Sequence, residues 1–257
     1  MILTIDAGNT NIAIGLFRDG ELAFHWRLST RTQRTPDEVL LHLRELMTFD
    51  AVDRNRIRTA VISSVVPAIT HSIHDGVARL LGFEPIIVSP DLDLPITIAT
   101  DDPAEVGSDL VANAVAGYTI AQGSSIVVDF GTALSFTAVD VSGALRGVAL
   151  APGLSTAENA LVARTAALPM VDLSAPETYI GTNTPASLRS GLVNGFAGLV
   201  DRMVEGIAEE LGSNGVLVLA TGGEAALVAH RCRRVERVEQ WLTLRGLLEI
   251  GLRNQST

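Results

Sequence analysis

The stretch that decides the fold is Met1-Ile-Leu-Thr-Ile-Asp6-Ala-Gly-Asn-Thr-Asn11, because it returns in altered form at Ser125-Ile-Val-Val-Asp129-Phe-Gly-Thr132. In both copies a short apolar run ends in an aspartate and passes into a turn carrying glycine and threonine. Such a run reads as a buried strand, and the polar turn as its exit. Outward from the first copy, Ile12 to Phe17 predicts a second strand, Asp19-Gly20 a hairpin tip, and Leu22 to Leu28 a third strand. Thr35-Pro36-Asp37-Glu38 then opens a helix, with Thr35 as N-cap, Pro36 at the first position and Glu38 closing a capping box. Ala60 to Val66 reads as a buried strand, Pro67 starts another helix, and Pro85 to Ser89 is strand again.

Around the second copy the order restarts. Residues 108–121 have helical character and precede it; Phe136 to Val141 and Ala144 to Leu150 follow as strands about a Ser142-Gly143 turn. Helices are expected at Ser155 to Ala167 and Pro185 to Leu211, a strand at Val216 to Ala220, and a closing helix at Thr243 to Leu252. The expectation is an α/β protein of duplicated topology, with an N-terminal domain over residues 1–117 and a C-terminal domain over 118–257.

The 257 residues are 47% hydrophobic, which suits a chain that buries a real core. All 19 basic side chains are arginine, and lysine is absent. That excludes a P-loop lysine, the strand lysine of protein kinases and any Schiff base on the chain. The net charge of −10 argues against a nucleic-acid binder that works by neutralising phosphates. The aspartate at position 6 and the lack of a basic leader argue against a signal peptide, and no run reaches the roughly 18 to 20 apolar residues of a membrane span. A soluble, cytoplasmic protein without membrane attachment is expected. The lone Cys232 cannot form an internal disulfide; its basic surroundings, Arg231-Cys-Arg-Arg, are of a kind that lowers a thiol pKa.

An aspartate at a strand end projects from a rigid base, and Gly8, Asn9, Thr10 and Asn11 offer close backbone approach and uncharged donors. This is phosphate chemistry without lysine. A single such turn is what any hairpin offers; two, each after an acidic strand end, suit Mg-nucleotide binding. A third glycine turn, Thr221-Gly222-Gly223, also follows a strand and is placed to lie against an adenosine. Asp109 falls in the first turn of the helix at 108–121, where the helix dipole favours its ionised form.

The chain resembles the type III pantothenate kinases, within the acetate and sugar kinase/Hsp70/actin superfold. The resemblance is carried by Ile5-Asp-Ala-Gly-Asn-Thr-Asn11, Arg34-Thr-Pro-Asp-Glu38, Glu105-Val-Gly-Ser-Asp109, Val127-Val-Asp-Phe-Gly-Thr-Ala133, Ile180-Gly-Thr-Asn-Thr184 and Ala220-Thr-Gly-Gly223, in one order from Met1 to about residue 250. It implies two ribonuclease H-like domains with a nucleotide cleft between them, in a homodimer. By position, Asp6, Ala7, Gly8, Asn9, Thr10, Asn11, Ile12 and Ala13 would form the ATP phosphate site, with Asp6 on the Mg2+ side and Thr132 contacting nucleotide from the second domain. Asp109 would take the proton of the pantothenate hydroxyl. Asp129 would bind a monovalent cation, K+ or NH4+. Thr100, Gly107, Ser108, Asp109, Leu110 and Thr184 would meet pantothenate, whose phosphorylation opens coenzyme A synthesis.

The chain departs from the family pattern on the acceptor side. The family usually has Gly-Ala-Asp-Arg where this sequence has Gly107-Ser108-Asp109-Leu110, and leucine cannot replace a bidentate guanidinium. Tyrosine is frequent in the family where Thr100 stands, and lysine where Thr182 stands. These departures leave open a nucleotide-binding paralogue with a regulatory role, or a kinase of another small hydroxylated acceptor. Arg146 and Arg189 are the candidate replacements for the missing arginine.

Overall fold

The computed structural model describes residues 1–165, 168–212 and 215–255. Two units divide the chain, Met1–Ala116 with Thr243–Thr257, and Gly117–Leu242.

The first unit begins with β1 (Ile2–Ala7), β2 (Asn11–Arg18) and β3 (Glu21–Ser29), a meander whose first tight turn and Asp19-Gly20 hairpin lie at opposite ends. Asp19 and Gly20 have φ of 52° and 85°, the left-handed pair that a two-residue hairpin with right-handed strand twist requires. α1 (Pro36–Phe49) has the full capping box: the Glu38 amide donates to Thr35 Oγ1 at 3.3 Å, and the Thr35 amide to Glu38 Oε2 at 2.7 Å. Its buried face is Val39, Leu43 and Met47, a strict four-residue spacing. β4 (Thr59–Ser64), α2 (Pro67–Leu81), β5 (Ile86–Ile87), β6 (Thr97–Ile98) and α3 (Ser108–Ala121) follow. The sheet order is β3-β2-β1-β4-β5; β1 and β2 pair antiparallel, as do β2 and β3, while β4 runs parallel to β1 and β5 parallel to β4. β1 is central, so Ile2, Leu3, Thr4 and Ile5 are all buried instead of alternating. Ile5, Ile14, Leu43, Ile62, Ile69 and Val77 lie in the core of this unit.

The second unit repeats the plan with β7 (Ser125–Phe130), β8 (Ala133–Val139), β9 (Ala144–Pro152), α4 (Leu154–Arg164), α5 (Thr184–Arg189), α6 (Gly195–Leu211), β10 (Leu217–Thr221), α7 (Ala225–Val228) and β11 (Arg237–Val238). Its strands run in the order β9-β8-β7-β10-β11, again an antiparallel meander followed by two parallel strands. β7 therefore occupies the place of β1, and β10 that of β4. The core gathers Val128, Phe130, Phe136, Leu154, Val200 and Val218. The duplicated α/β topology expected from the two acidic strand ends is present.

Four expectations differ from the structure. The single helix over 185–211 is broken: a π-helical turn at Ser190–Asn194 separates α5 from α6, and Ser190 Oγ donates there to the Tyr179 carbonyl at 2.6 Å. The helix expected to reach Ala167 ends at Arg164; Ala166 and Ala167 lie outside the described residues. The strand at 85–89 keeps only Ile86–Ile87. The closing helix α8 (Leu242–Arg253) groups from Thr243 onward with the first unit, not with Gly117–Leu242, whereas the expected C-terminal domain ran unbroken over 118–257. Its backbone lies so close to α3 that a Cβ on Gly246 would stand 1.9 Å from the Ala112 carbonyl oxygen.

Candidate functional site

β1 delivers Asp6 to the strand end, where its register partner on β4 is Ser63. Ser63 Oγ donates to Asp6 Oδ1 at 3.0 Å. The turn beyond is narrow and fixed. The Gly8 amide donates to the Asn11 carbonyl at 3.0 Å, Thr30 Oγ1 donates to the Gly8 carbonyl at 2.6 Å, and the Thr30 amide to the Thr10 carbonyl at 2.9 Å. Asn9, Thr10 and Asn11 are exposed. Ala7 and Ile12 are buried in the core, so those two candidates face away from any phosphate except through backbone.

Asp109 lies in the first turn of α3. Its Oδ1 accepts from the Leu110 amide at 2.8 Å. A Cβ on Gly107 would come within 2.6 Å of that same oxygen, so the glycine makes room for the carboxylate. Burial pushes the Asp109 carboxyl above its ordinary value, and the Leu110 amide pulls back less strongly. This reverses the expectation from the helix dipole: desolvation outweighs it. A cleft of about 380 Å³ lies alongside, lined by Ser64, Val65, Pro67, Ser89, Val106 and Ser108 among others, with no arginine or histidine. It sits beyond the C-terminal ends of the parallel strands β4 and β5, where open α/β sheets take their ligands. Leu110 is half-buried, and the buried Thr100 Oγ1 has no hydrogen-bond partner among the described residues.

In the second unit three turns converge. Asp129 ends β7 opposite Thr221 of β10. Gly222, at φ 96°, approaches so near that a Cβ there would be 2.5 Å from Asp129 Oδ1 and 2.6 Å from the Phe130 carbonyl oxygen. A side chain at 222 would fill the space beside the carboxylate. The Gly131-Thr132 turn rests on Gly153, whose amide donates to the Thr132 carbonyl at 3.1 Å, while Thr156 Oγ1 donates to the same carbonyl at 2.7 Å. Glu224, just past the glycine turn, accepts from the Ser155 amide and hydroxyl at the start of α4. Sequence reasoning missed Glu224; its only signal is its place after Thr221-Gly-Gly. Thr132 and Thr184 are exposed. Arg146 is ion-paired with Asp140 at 3.2 Å, and Arg189 Nε donates to the Asp172 carbonyl at 2.8 Å.

Other sequence candidates are resolved plainly. Burial, aided by Asp201, pushes the Cys232 thiol up to about 12, so the arginines around it do not activate it. His71 and His74 both pair with Asp75. No three His, Cys, Asp or Glu among the described residues gather as a metal site, and none of the described helices is long and apolar enough to cross a membrane.

A profile of the type III pantothenate kinase family matches residues 2–206. The chain is 40% identical to a type III pantothenate kinase of Moorella thermoacetica, covering 99% of this chain and 100% of the relative. It is 41% identical to that of Paramagnetospirillum magneticum, covering 100% and 98%. Among solved structures, a Baf family transcriptional activator of Campylobacter jejuni superposes with a TM-score of 0.59 at 18% identity over 96% of both chains. Component A of the (R)-2-hydroxyglutaryl-CoA dehydratase of Acidaminococcus fermentans does so with a TM-score of 0.53 at 17% identity, over 98% and 96%. These two likenesses concern the fold: two mixed sheets in duplicated, actin-like domains. Matched over four-fifths of its length by the family profile and nearly end to end by its relatives, the chain belongs to the type III pantothenate kinases.

Proposed function

We propose that this chain transfers the γ-phosphoryl group of ATP to the 4′-hydroxyl of pantothenate, the opening step of coenzyme A synthesis. The observation that carries this reading is the half-buried Asp109 carboxylate, next in sequence to Gly107 and Ser108, which line the cleft, in a chain 40% identical to a type III pantothenate kinase from end to end. The acceptor oxygen forms a bond to the γ-phosphorus, the bond to the bridging oxygen of ADP breaks, and the hydroxyl proton goes to Asp109. Phosphoryl transfer leaves the protein little covalent chemistry, so orientation and charge placement do most of the work. A carboxyl whose pKa is raised is a better proton acceptor late in that transfer.

The exposed side chains of Asn9, Thr10 and Asn11, with the glycine at 8, suit phosphate oxygens. Magnesium would be held by Asp6 together with the phosphates, because this ion binds through one or two carboxylates plus substrate phosphates. A monovalent cation would be held at Asp129, beside the space that Gly222 leaves open. These ions supply neutralisation of phosphate charge when bound. Thr132 and Thr184 would contact nucleotide and acceptor, and Thr100 would offer its unpaired hydroxyl to the acceptor. A cytoplasmic homodimer fits the family, and Tyr179 and Ile180, 80% and 81% exposed, are apolar side chains that a second copy could cover.

The test is ADP formation by the purified chain with Mg-ATP, with and without pantothenate, in potassium and in sodium at equal ionic strength. Release that depends on pantothenate and is faster in potassium is the expected result. Turnover indifferent to pantothenate overturns the acceptor, and equal rates in the two salts remove the cation from Asp129. A chain that binds ATP but never turns over would move the reading to the regulatory paralogue that Leu110 left open.

A further inference from the structure

A run of hydroxyls lies between the acid of the phosphate turn and the helix that carries Asp109. Ser63 is fully buried, and its Oγ donates to Asp6 Oδ1 at 3.0 Å. The same oxygen lies 3.0 Å from Ser108 Oγ, and Ser108 Oγ accepts from the Ser64 amide at 3.0 Å. Chemistry fixes the direction of these bonds. An ionised carboxylate only accepts, so the single proton of Ser63 is committed to Asp6. Ser63 must then accept from Ser108, and the oxygen of Ser108 takes the Ser64 amide. The order is therefore Ser64 N–H to Ser108, Ser108 to Ser63, and Ser63 to Asp6. Bonds arranged head to tail in a buried place polarise one another.

Ser108 is the first residue of α3 and the neighbour of Asp109. On its other side Gly107 leaves the carboxylate room that any side chain would take. The Asp109 carboxylate in turn accepts from the Leu110 amide inside the same helical turn. Whatever shifts Ser108 thus shifts the backbone that aims Asp109.

We propose that Ser63 and Ser108 are a positioning pair that ties Asp6 to the first turn of α3, so that the aim of Asp109 depends on the state of Asp6. The pair touches neither reacting atom; it acts through the two aspartates. This rests on the reading of Asp109 as proton acceptor and Asp6 as the nucleotide-side acid. Serine is suited to the task because each hydroxyl both accepts and donates, and a relay of two fits the spacing between a strand end and a helix start.

The experiment has two arms, both on the full chain. In the first, kinetics are measured for Ser108→Ala, Ser63→Ala, the double variant and Ser108→Thr, with a melting curve for each. Ser108→Ala is expected to lower kcat about tenfold, the scale of one hydrogen bond in a charged chain, with KM for ATP changed less than about twofold. Ser63→Ala should match it, and the double variant should be no worse than about the worse single, because the two act as one unit. Ser108→Thr keeps the hydroxyl and should recover kcat to within about threefold. Wild-type kcat in Ser108→Ala, losses that multiply in the double variant, or no rescue by threonine in a variant that melts normally would each overturn the pair. The second arm needs no turnover. Hydrogen exchange is followed over residues 106–112 in the wild type and in Asp6→Ala, which removes the acceptor of the Ser63 hydroxyl. Faster exchange there in Asp6→Ala is expected, and unchanged exchange sinks the coupling. A wild type that exchanges as expected but never phosphorylates pantothenate would instead count against the functional reading alone.

Discussion

Under the proposed function two opposed demands meet at Asp109: proton transfer would need it ionised, and its surroundings favour it neutral. Burial raises its carboxyl above the unfolded value of about 3.9. Below that unfolded value both folded and unfolded chains hold the proton, and nothing is lost. As pH rises toward the folded pKa, the unfolded chain ionises first, so the fold loses stability through that window. Above the folded pKa the native protein carries the whole cost. Asp109→Asn has no proton to lose and keeps an oxygen for the Leu110 amide. It is expected to melt above the wild type at pH 7, with the gap narrowing as pH falls toward the unfolded carboxylate range. Its turnover should drop by about 10² to 10⁴, the usual contribution of a positioned acid or base. Denaturation at several pH values together with one assay checks both; a variant no more stable than wild type at pH 7 would contradict the desolvation argument. In the sequence Asp109 stands out through the resemblance of Glu105-Val-Gly-Ser-Asp109 to the family, since acids in a first helical turn are common. The sequence did not locate Ser63, because that serine lies 45 residues from Ser108 and 57 from Asp6 and meets them only in the fold.

At the scale of elements, turns are set by what packs against them. Gly153 precedes α4 and supports the β7–β8 turn; a Cβ there would fall 2.1 Å from the Gly131 carbonyl oxygen and 2.7 Å from that of Thr132. Both obstacles are backbone, so no side chain can swing aside. Gly153→Ala should cost about 1–3 kcal/mol, the range of an overpacked core, and push Thr132 from its place. Chemical denaturation should report the first effect, and a raised KM for ATP the second. Unchanged values of both would mean that the turn is freer than its contacts indicate. Elements whose signals are local were readable in the sequence. The Asp19-Gly20 hairpin and the Thr35 capping box appear where the residues put them, because each depends on neighbours within four positions. The π-turn after α5 was not readable. Ser190 bonds the Tyr179 carbonyl, and Asn194 accepts from Arg231 Nη1 at 3.2 Å, partners eleven and 37 residues away. An apolar pattern alone continues smoothly through such a break.

Across the whole molecule, duplication was legible because each half states it in a short strand and its turn, whereas the return of the chain's end to its beginning was not. A periodicity argument finds α8 but says nothing of which sheet it covers. Glycines decide that here. Gly246 lets α8 lie backbone to backbone against α3, Gly251 brings it within reach of Val61 and Ile2, and Leu244 reaches Gly15 of β2. Leu244, Leu247, Leu248 and Ile250 are all buried, at 5% exposure or less. Burying each such side chain is worth roughly 1.5–3 kcal/mol, so the four together contribute about 6–12 kcal/mol. A domain's entire net stability is about 5–15 kcal/mol. A chain ending at Leu242 should therefore lose the first unit, although it keeps every strand of that unit's sheet. The second unit retains its own core of Val128, Phe136, Val200 and Val218. Hydrogen exchange on the truncated chain separates the two: amides of β1, β2 and β4 should exchange freely, while those of β7, β8 and β10 stay protected. Protection that persists over β1 to β4 would show that the first unit folds without its last helix. Loss of protection in both units would show instead that neither half is stable by itself, and that two similar sheets fold as one cooperative body.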